Sequence, residues 1–162
     1  MSRIVVCDTG PLLHLGEANI LNLLHQAGEV IIPCEVAEEF ERNTSELKLP
    51  AWITITELEK PYQKLALEWR KLIDGGEAAA IALAKQLQAE WLLTDDAIAR
   101  QFGESLGLEV HGSIGILLLA AVDGYFKSES DVLESLDALA GSSLWISDRV
   151  LNQARNAIHT LF

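Results

Sequence analysis

The chain has 162 residues, with 24 Asp and Glu against 12 Lys and Arg, a formal net charge of −12. That length suits one domain with a single packed core, and 49% hydrophobic with 22% charged residues argues against disorder. The acidity disfavours a protein that grips nucleic acid through a broad basic face, or adsorbs to anionic membranes, because both need clustered Lys and Arg.

Ile4-Val5-Val6-Cys7 is a short apolar run stopped by Asp8-Thr9-Gly10-Pro11, and reads as a fully buried strand. Helical spacing follows from Leu12 through Leu24, with Gly16 expected to divide it into two helices. Val30-Ile31-Ile32 predicts a second strand closed by Pro33, and Glu35–Arg42 a helix. The stretch from Asn43 to Pro61 is irregular, with a short strand at Ile53–Ile55. A helix over Tyr62–Ile73 would carry Leu65, Trp69 and Leu72 on one face. Asp74-Gly75-Gly76-Glu77 then opens a helix over Ala78–Leu87 that is apolar on nearly every side, the mark of a helix buried against a sheet. Trp91–Thr94 is the next strand, ending at Asp95-Asp96. Helix Ala97–Leu106, a short strand at Leu108–His111 and an apolar helix from Ile114 to about Asp123 follow. Two last helices are expected at Asp131–Leu139 and Asp148–Leu161, the second capped by Ser147. Short apolar strands alternating with helices imply an α/β fold with a parallel sheet between helical layers. No linker or repeat divides residues 1–162, so one domain is expected.

Cys7 and Cys34 are the only cysteines, each on a strand-like apolar stretch. Two thiols are too few for a disulfide framework or a four-ligand zinc site, and are expected to be free in a reducing cytosol. Met1-Ser2-Arg3 leads straight into the first strand, which is not a signal-peptide pattern, and no apolar run approaches the ~20 residues that span a bilayer. A cytoplasmic protein without membrane contact is the expectation.

Ligands of open parallel sheets bind outside the carboxyl ends of the strands. Asp8 ends the first strand, and Asp95 and Asp96 end the one at 91–94. Each could simply start a turn or cap a helix, but neighbouring strands would bring them together. Glu39 lies about 60° around its helix from Val36, on the flank of the buried face, whereas Glu38 points to solvent. Glu35 and Glu39 form an i, i+4 like-charge pair that a cation would relieve. Asp74 and Glu77 match a capping box, which would leave Glu77 at a helix N-terminus aimed at the strand ends. Asp8, Glu39, Glu77 and Asp95 or Asp96 would form an oxygen-only cluster suited to Mg²⁺ or Mn²⁺. The four histidines, His14, His25, His111 and His159, make no zinc pattern and are given structural roles. Two short likenesses fail: Asp8-Thr9-Gly10 is the aspartic-protease triplet, but those proteins are β-rich, and the aspartate-nucleophile phosphatases need an Asp where Gly10 stands.

In order along residues 3–125, these pieces resemble the PIN-domain nuclease family, VapC-like branch. They are Ile4–Leu12, Val30–Pro33 with Val36 and Glu39, Asp74–Ala84, Leu92–Asp96 with Arg100, and Gly112–Leu117. The match is looser over the C-terminal helices, 128–162. The resemblance implies a PIN-like three-layer sandwich and Mg²⁺- or Mn²⁺-dependent phosphodiester hydrolysis, usually of RNA, by the toxin of a toxin–antitoxin pair. It implies that Asp8, Glu39, Glu77 and Asp95 or Asp96 are catalytic metal ligands, the last choice open, and that Ser113 is a polar residue beside the site. Arg100, one turn beyond Asp96, could contact a phosphate or form a salt bridge. A homodimer and a small antitoxin protein are the partners implied. The helix Ile114–Val122 and the Trp145 segment are candidate contact surfaces, with core packing the expected use of both. The rival readings are a non-catalytic interaction protein on the same fold, and a nuclease acting on DNA or in RNA processing.

Overall fold

A computed structural model describes residues 2–162. Strand β1 (Ile4–Cys7) runs directly into α1 (Thr9–Glu17). A 3-10 turn at Leu21–Leu23 and the single-turn α2 (Leu24–Ala27) lead to β2 (Glu29–Pro33) and at once to α3 (Cys34–Asn43). After an irregular segment come β3 (Thr54–Thr56), α4 (Lys60–Trp69) and α5 (Gly75–Leu87). Then follow β4 (Trp91–Leu93), α6 (Ala97–Ser105), β5 (Glu109–His111), α7 (Ser113–Val122), α8 (Glu129–Ala140) and α9 (Asp148–Leu161).

The strands form one sheet in the order β3-β2-β1-β4-β5, parallel throughout. β1 is central: Val6 pairs with Ile31 of β2 on one side and Leu92 of β4 on the other. Val5, Val6 and Cys7 are wholly buried, as a strand covered on both faces must be. Its continuous apolar run, with no polar alternation, follows from that position. Right-handed crossovers place the helices between β1 and β2 and those between β3 and β4 on opposite faces, giving the three-layer α/β sandwich. On one face α5 packs across β1, β2 and β4. Its residues Ala78–Ala84 are all buried, and five of those seven side chains are methyl groups that let the helix lie close to the sheet. On the other face α2 meets β2 and α7, and α8 and α9 close over α7. No helix of the described residues is long and apolar enough to cross a membrane.

Three local expectations need correction. Gly16 does not divide the first helix; α1 runs through it to Glu17, and the chain turns at Asn19, whose φ is 60°. The glycine serves packing instead, since a Cβ there would lie 2.9 Å from Leu47 Cδ1. In α4 the inward stripe is Tyr62, Ala66 and Trp69, while Leu65 and Leu72 are exposed. The helix ends at Trp69, so Leu72 never joins its face. Finally, Cys34 opens α3 and is not on a strand; like the buried Cys7 it is a free thiol.

Candidate active site at the strand ends

Because the strands are parallel, their carboxyl ends share one edge. Strand order reverses beside β1, with β2 and β3 to one side and β4 and β5 to the other. The crevice at such a switch point is the natural ligand site of an open α/β sheet. A cleft of about 320 Å³ lies there, lined by Asp8, Glu39, Asp74, Glu77, Asp95 and Asp96, with Asn43, His14 and Trp145 beside them.

Asp8, Asp74, Glu77 and Asp96 each accept a backbone N–H that places the carboxylate. The Asp8 N–H donates to Leu93 O at 2.9 Å, so the β1–β4 ladder continues up to the carboxylate. Asp8 then caps α1, its Oδ1 accepting from Thr9 N–H at 2.8 Å, while the Thr94 hydroxyl donates to Oδ2 at 3.0 Å. Asp96 caps α6 through Oδ2, which accepts from Ala99 N–H at 2.8 Å. Asp74 and Glu77 form the expected capping box at α5: Gly76 N–H donates to Asp74 Oδ1 at 2.8 Å, and Asp74 N–H to Glu77 Oε1 at 3.1 Å. Glu39 reaches from α3 to the same helix start. A side chain at Gly76 would collide with its carboxylate, so glycine is required for that approach.

None of these carboxylates forms an ion pair with a base of the described residues. Asp8 is only 5% exposed, and its pKa is pushed up to about 7, chiefly by loss of water. Repulsion from Glu39 and Asp74 adds to this, against the pull of the Thr9 N–H and the Thr94 hydroxyl. Glu77 is likewise raised to about 7, first by burial and then by Asp8 and Asp96. Burial and then Asp74 raise Glu39, with Arg42 opposing. The Thr9 hydroxyl is buried among them and makes no full hydrogen bond.

Asp95 sits in different surroundings. Its Oδ1 accepts from Ser113 N–H at 2.6 Å, and its Oδ2 accepts from the Ser113 hydroxyl at 2.5 Å and faces His14 Nδ1 at 2.6 Å. It therefore ties the end of β4 to α1 and to the first residue of α7. Gly112 makes room, since a Cβ there would fall 2.9 Å from Asp95 Oδ1. Ser113 is fully buried, and Arg100 Nη1 donates to Val110 O at 3.1 Å.

A family model described as a PIN domain matches residues 4–160. The chain belongs to the PIN-domain family. No curated protein matches it. PIN domains are generally nucleases, that is phosphodiesterases, and typically use divalent metals. In this PIN domain, no three His, Cys, Asp or Glu side chains of the described residues are drawn into a closed ligand group. The donors fit a hard divalent cation in kind: all are oxygens, and burial and mutual repulsion leave them short of positive charge.

All five acids named from the sequence line this one cleft. Sequence reading missed Asp74 as part of the site, because its capping role already explained it. It also missed Thr94, Asn43 and the contact of His14 with Asp95. The Asp-Gly-Gly-Glu spacing and the Thr before the aspartate pair were the available signals. Trp145, expected in the core, is 83% exposed at the cleft wall, because its neighbours Leu144 and Ile146 are the side chains of that segment that pack against the core.

Proposed function

We infer that this PIN-domain protein is a Mg²⁺- or Mn²⁺-dependent endoribonuclease, and the toxin of a toxin–antitoxin pair in the VapC-like branch. The observation that carries the nuclease reading is the uncompensated cleft, where two carboxyls are raised to about 7 among acids from four separate elements. Asp8, Glu39, Glu77 and Asp96 would hold the metal. Asp96 is favoured over Asp95 because, among the described residues, its carboxylate is bonded only as a helix cap through Oδ2, whereas both oxygens of Asp95 are engaged by Ser113 and His14. A bound divalent cation supplies Lewis-acid activation of water and neutralises charge developing on the phosphate.

The chain's own groups do the rest. Thr94 fixes the Asp8 carboxylate, and the capping box fixes Glu77 at the start of α5. Ser113 and His14 hold Asp95 as a rigid post between α1 and α7, and Arg100, which lines the adjoining cavity with Asp95, would take a flanking phosphate. RNA as substrate, a homodimer and an antitoxin partner are supported by the order of the VapC-like motifs from Asp8 to Ser113. Cleavage of matched RNA and DNA, with Mn²⁺ or EDTA, by wild type and Asp8→Asn tests the reading. RNA cleavage that needs the metal and Asp8 is expected. Near-full Mn²⁺-dependent cleavage by Asp8→Asn would sink the site assignment, and preference for DNA would sink the ribonuclease. A melting temperature unmoved by Mn²⁺, with no cleavage, points to a non-catalytic interaction protein. Growth arrest on expression, relieved by the product of an adjacent gene, tests the toxin role.

A further inference from the structure

A second cavity, of about 400 Å³, adjoins the acid cleft, and the two share Asp95, Leu144 and Trp145 as a common wall. Arg100 of α6 lines it, as do Gly112 and Ser113 at the start of α7. Two features of the cavity bear on what it could hold. The half-buried Arg100 guanidinium bonds a backbone carbonyl and, like most basic side chains of the described residues, forms no ion pair with a carboxylate, so charge is left for an anionic ligand. Trp145 is 83% exposed, more than any other large hydrophobic side chain of the described residues. An indole left in water beside a concave, partly apolar cavity has a flat face unspent, and an unpaired guanidinium has donors suited to phosphate oxygens.

We propose that this cavity receives one unstacked nucleotide of a single-stranded nucleic acid, its base stacked on Trp145 and its phosphate on Arg100. The next phosphodiester is thereby led over the acid cleft. The inference rests on the nuclease reading above and adds where one nucleotide of the substrate is held. The volume falls within the range of about 300–1,000 Å³ typical of small-ligand sites. A base can enter only if it is free of a duplex stack, so single strands, loops and ends are accepted and continuous duplex is not. Stacking also answers the charge problem. A net charge of −12 disfavours holding RNA by a broad basic surface, but one aromatic face and one cation can hold a single nucleotide.

The test uses the full chain carrying Asp8→Asn, without divalent ions, so that binding is read apart from cleavage. The probes are a labelled six-nucleotide single-stranded RNA, the same sequence as a duplex, and an abasic version. Adding Trp145→Ala is expected to weaken hexamer binding about 5–150-fold, the equivalent of about 1–3 kcal/mol for one stacked base. Trp145→Phe should retain most of the affinity, and the duplex and abasic probes should bind as weakly as the Ala variant binds the hexamer. Equal binding by Trp145→Ala overturns the proposal, as do equal binding of the duplex and no binding of the hexamer at all. So does a loss accompanied by dissociation of a dimer in sedimentation, which would assign Trp145 to a protein contact. If wild type cleaves and Asp8→Asn does not, yet Trp145→Ala binds and cleaves normally, this site falls and the nuclease stands. If nothing is cleaved but Trp145-dependent binding of the single strand persists, the nuclease reading falls and this site stands.

Discussion

Asp95 and Asp96 are neighbours in the chain and opposites in their surroundings. Asp95 is met by three donors, two from Ser113 and one from His14, and so acts as a structural knot between the end of β4, α1 and α7. Asp96 is bonded only as a helix cap and looks toward Glu77, in a group of acids where Asp8 and Glu77 have been pushed to about 7. One side of the cleft is satisfied internally; the other is held short of positive charge by the fold. A carboxylate's role is thus set by which donors the tertiary structure brings to it, and not by its place in a motif.

The largest expected effect breaks the unsatisfied side. Asp8→Asn should reduce cleavage well beyond the roughly 10–100-fold that loss of an outer hydrogen-bond partner costs, with circular dichroism and the melting profile showing an intact fold. On the satisfied side, Ser113→Ala removes a hydroxyl donor from Asp95 and is expected to lower activity about 10–100-fold. It should also lower stability by about 1–3 kcal/mol in denaturant titration, because a buried charged acceptor loses a partner. An Asp95 that were an ordinary exposed cap would show neither change.

Gly76→Ala separates helix stability from site geometry. Alanine is favoured over glycine inside a helix by about 1 kcal/mol, yet its Cβ would displace the Glu39 carboxylate. Cleavage should fall about tenfold while the melting temperature holds or rises. A variant with unchanged activity would remove Glu39 from the working site.

The last prediction concerns pH. A carboxyl raised in the folded state favours folding fully below its unfolded value of about 4, and that contribution is lost as pH rises through about 7. Between pH 4 and 7 the metal-free wild type should therefore lose stability relative to Asp8→Asn, by on the order of 2–4 kcal/mol. Added Mn²⁺ should shrink the difference. Parallel stability profiles for the two proteins across that range would show that Asp8 is not held as a strained, desolvated acid.

The elements were legible because the local chemistry was plain. Uninterrupted apolar runs such as Ile4–Cys7 announced strands covered on both faces, and the Asp74–Glu77 box and Ser147 announced helix starts. Gly16 and the face of α4 misled, because both depend on what packs against them: Leu47 in one case and the early end of the helix in the other.

The sequence by itself determined the sheet-forming runs, the caps and the set of acids at the strand ends, because periodicity and capping act within a few residues. The family match over residues 4–160 agrees with the fold expected from those runs. Only the tertiary structure decided which acids are relieved and which are not. Desolvation and charge repulsion fall off within a few ångströms, so they depend on Asp8, Glu39, Asp74, Glu77 and Asp96 arriving together from distant parts of the chain. Only the structure, too, left Trp145 in water beside Arg100, since a residue's exposure is decided by what fails to cover it.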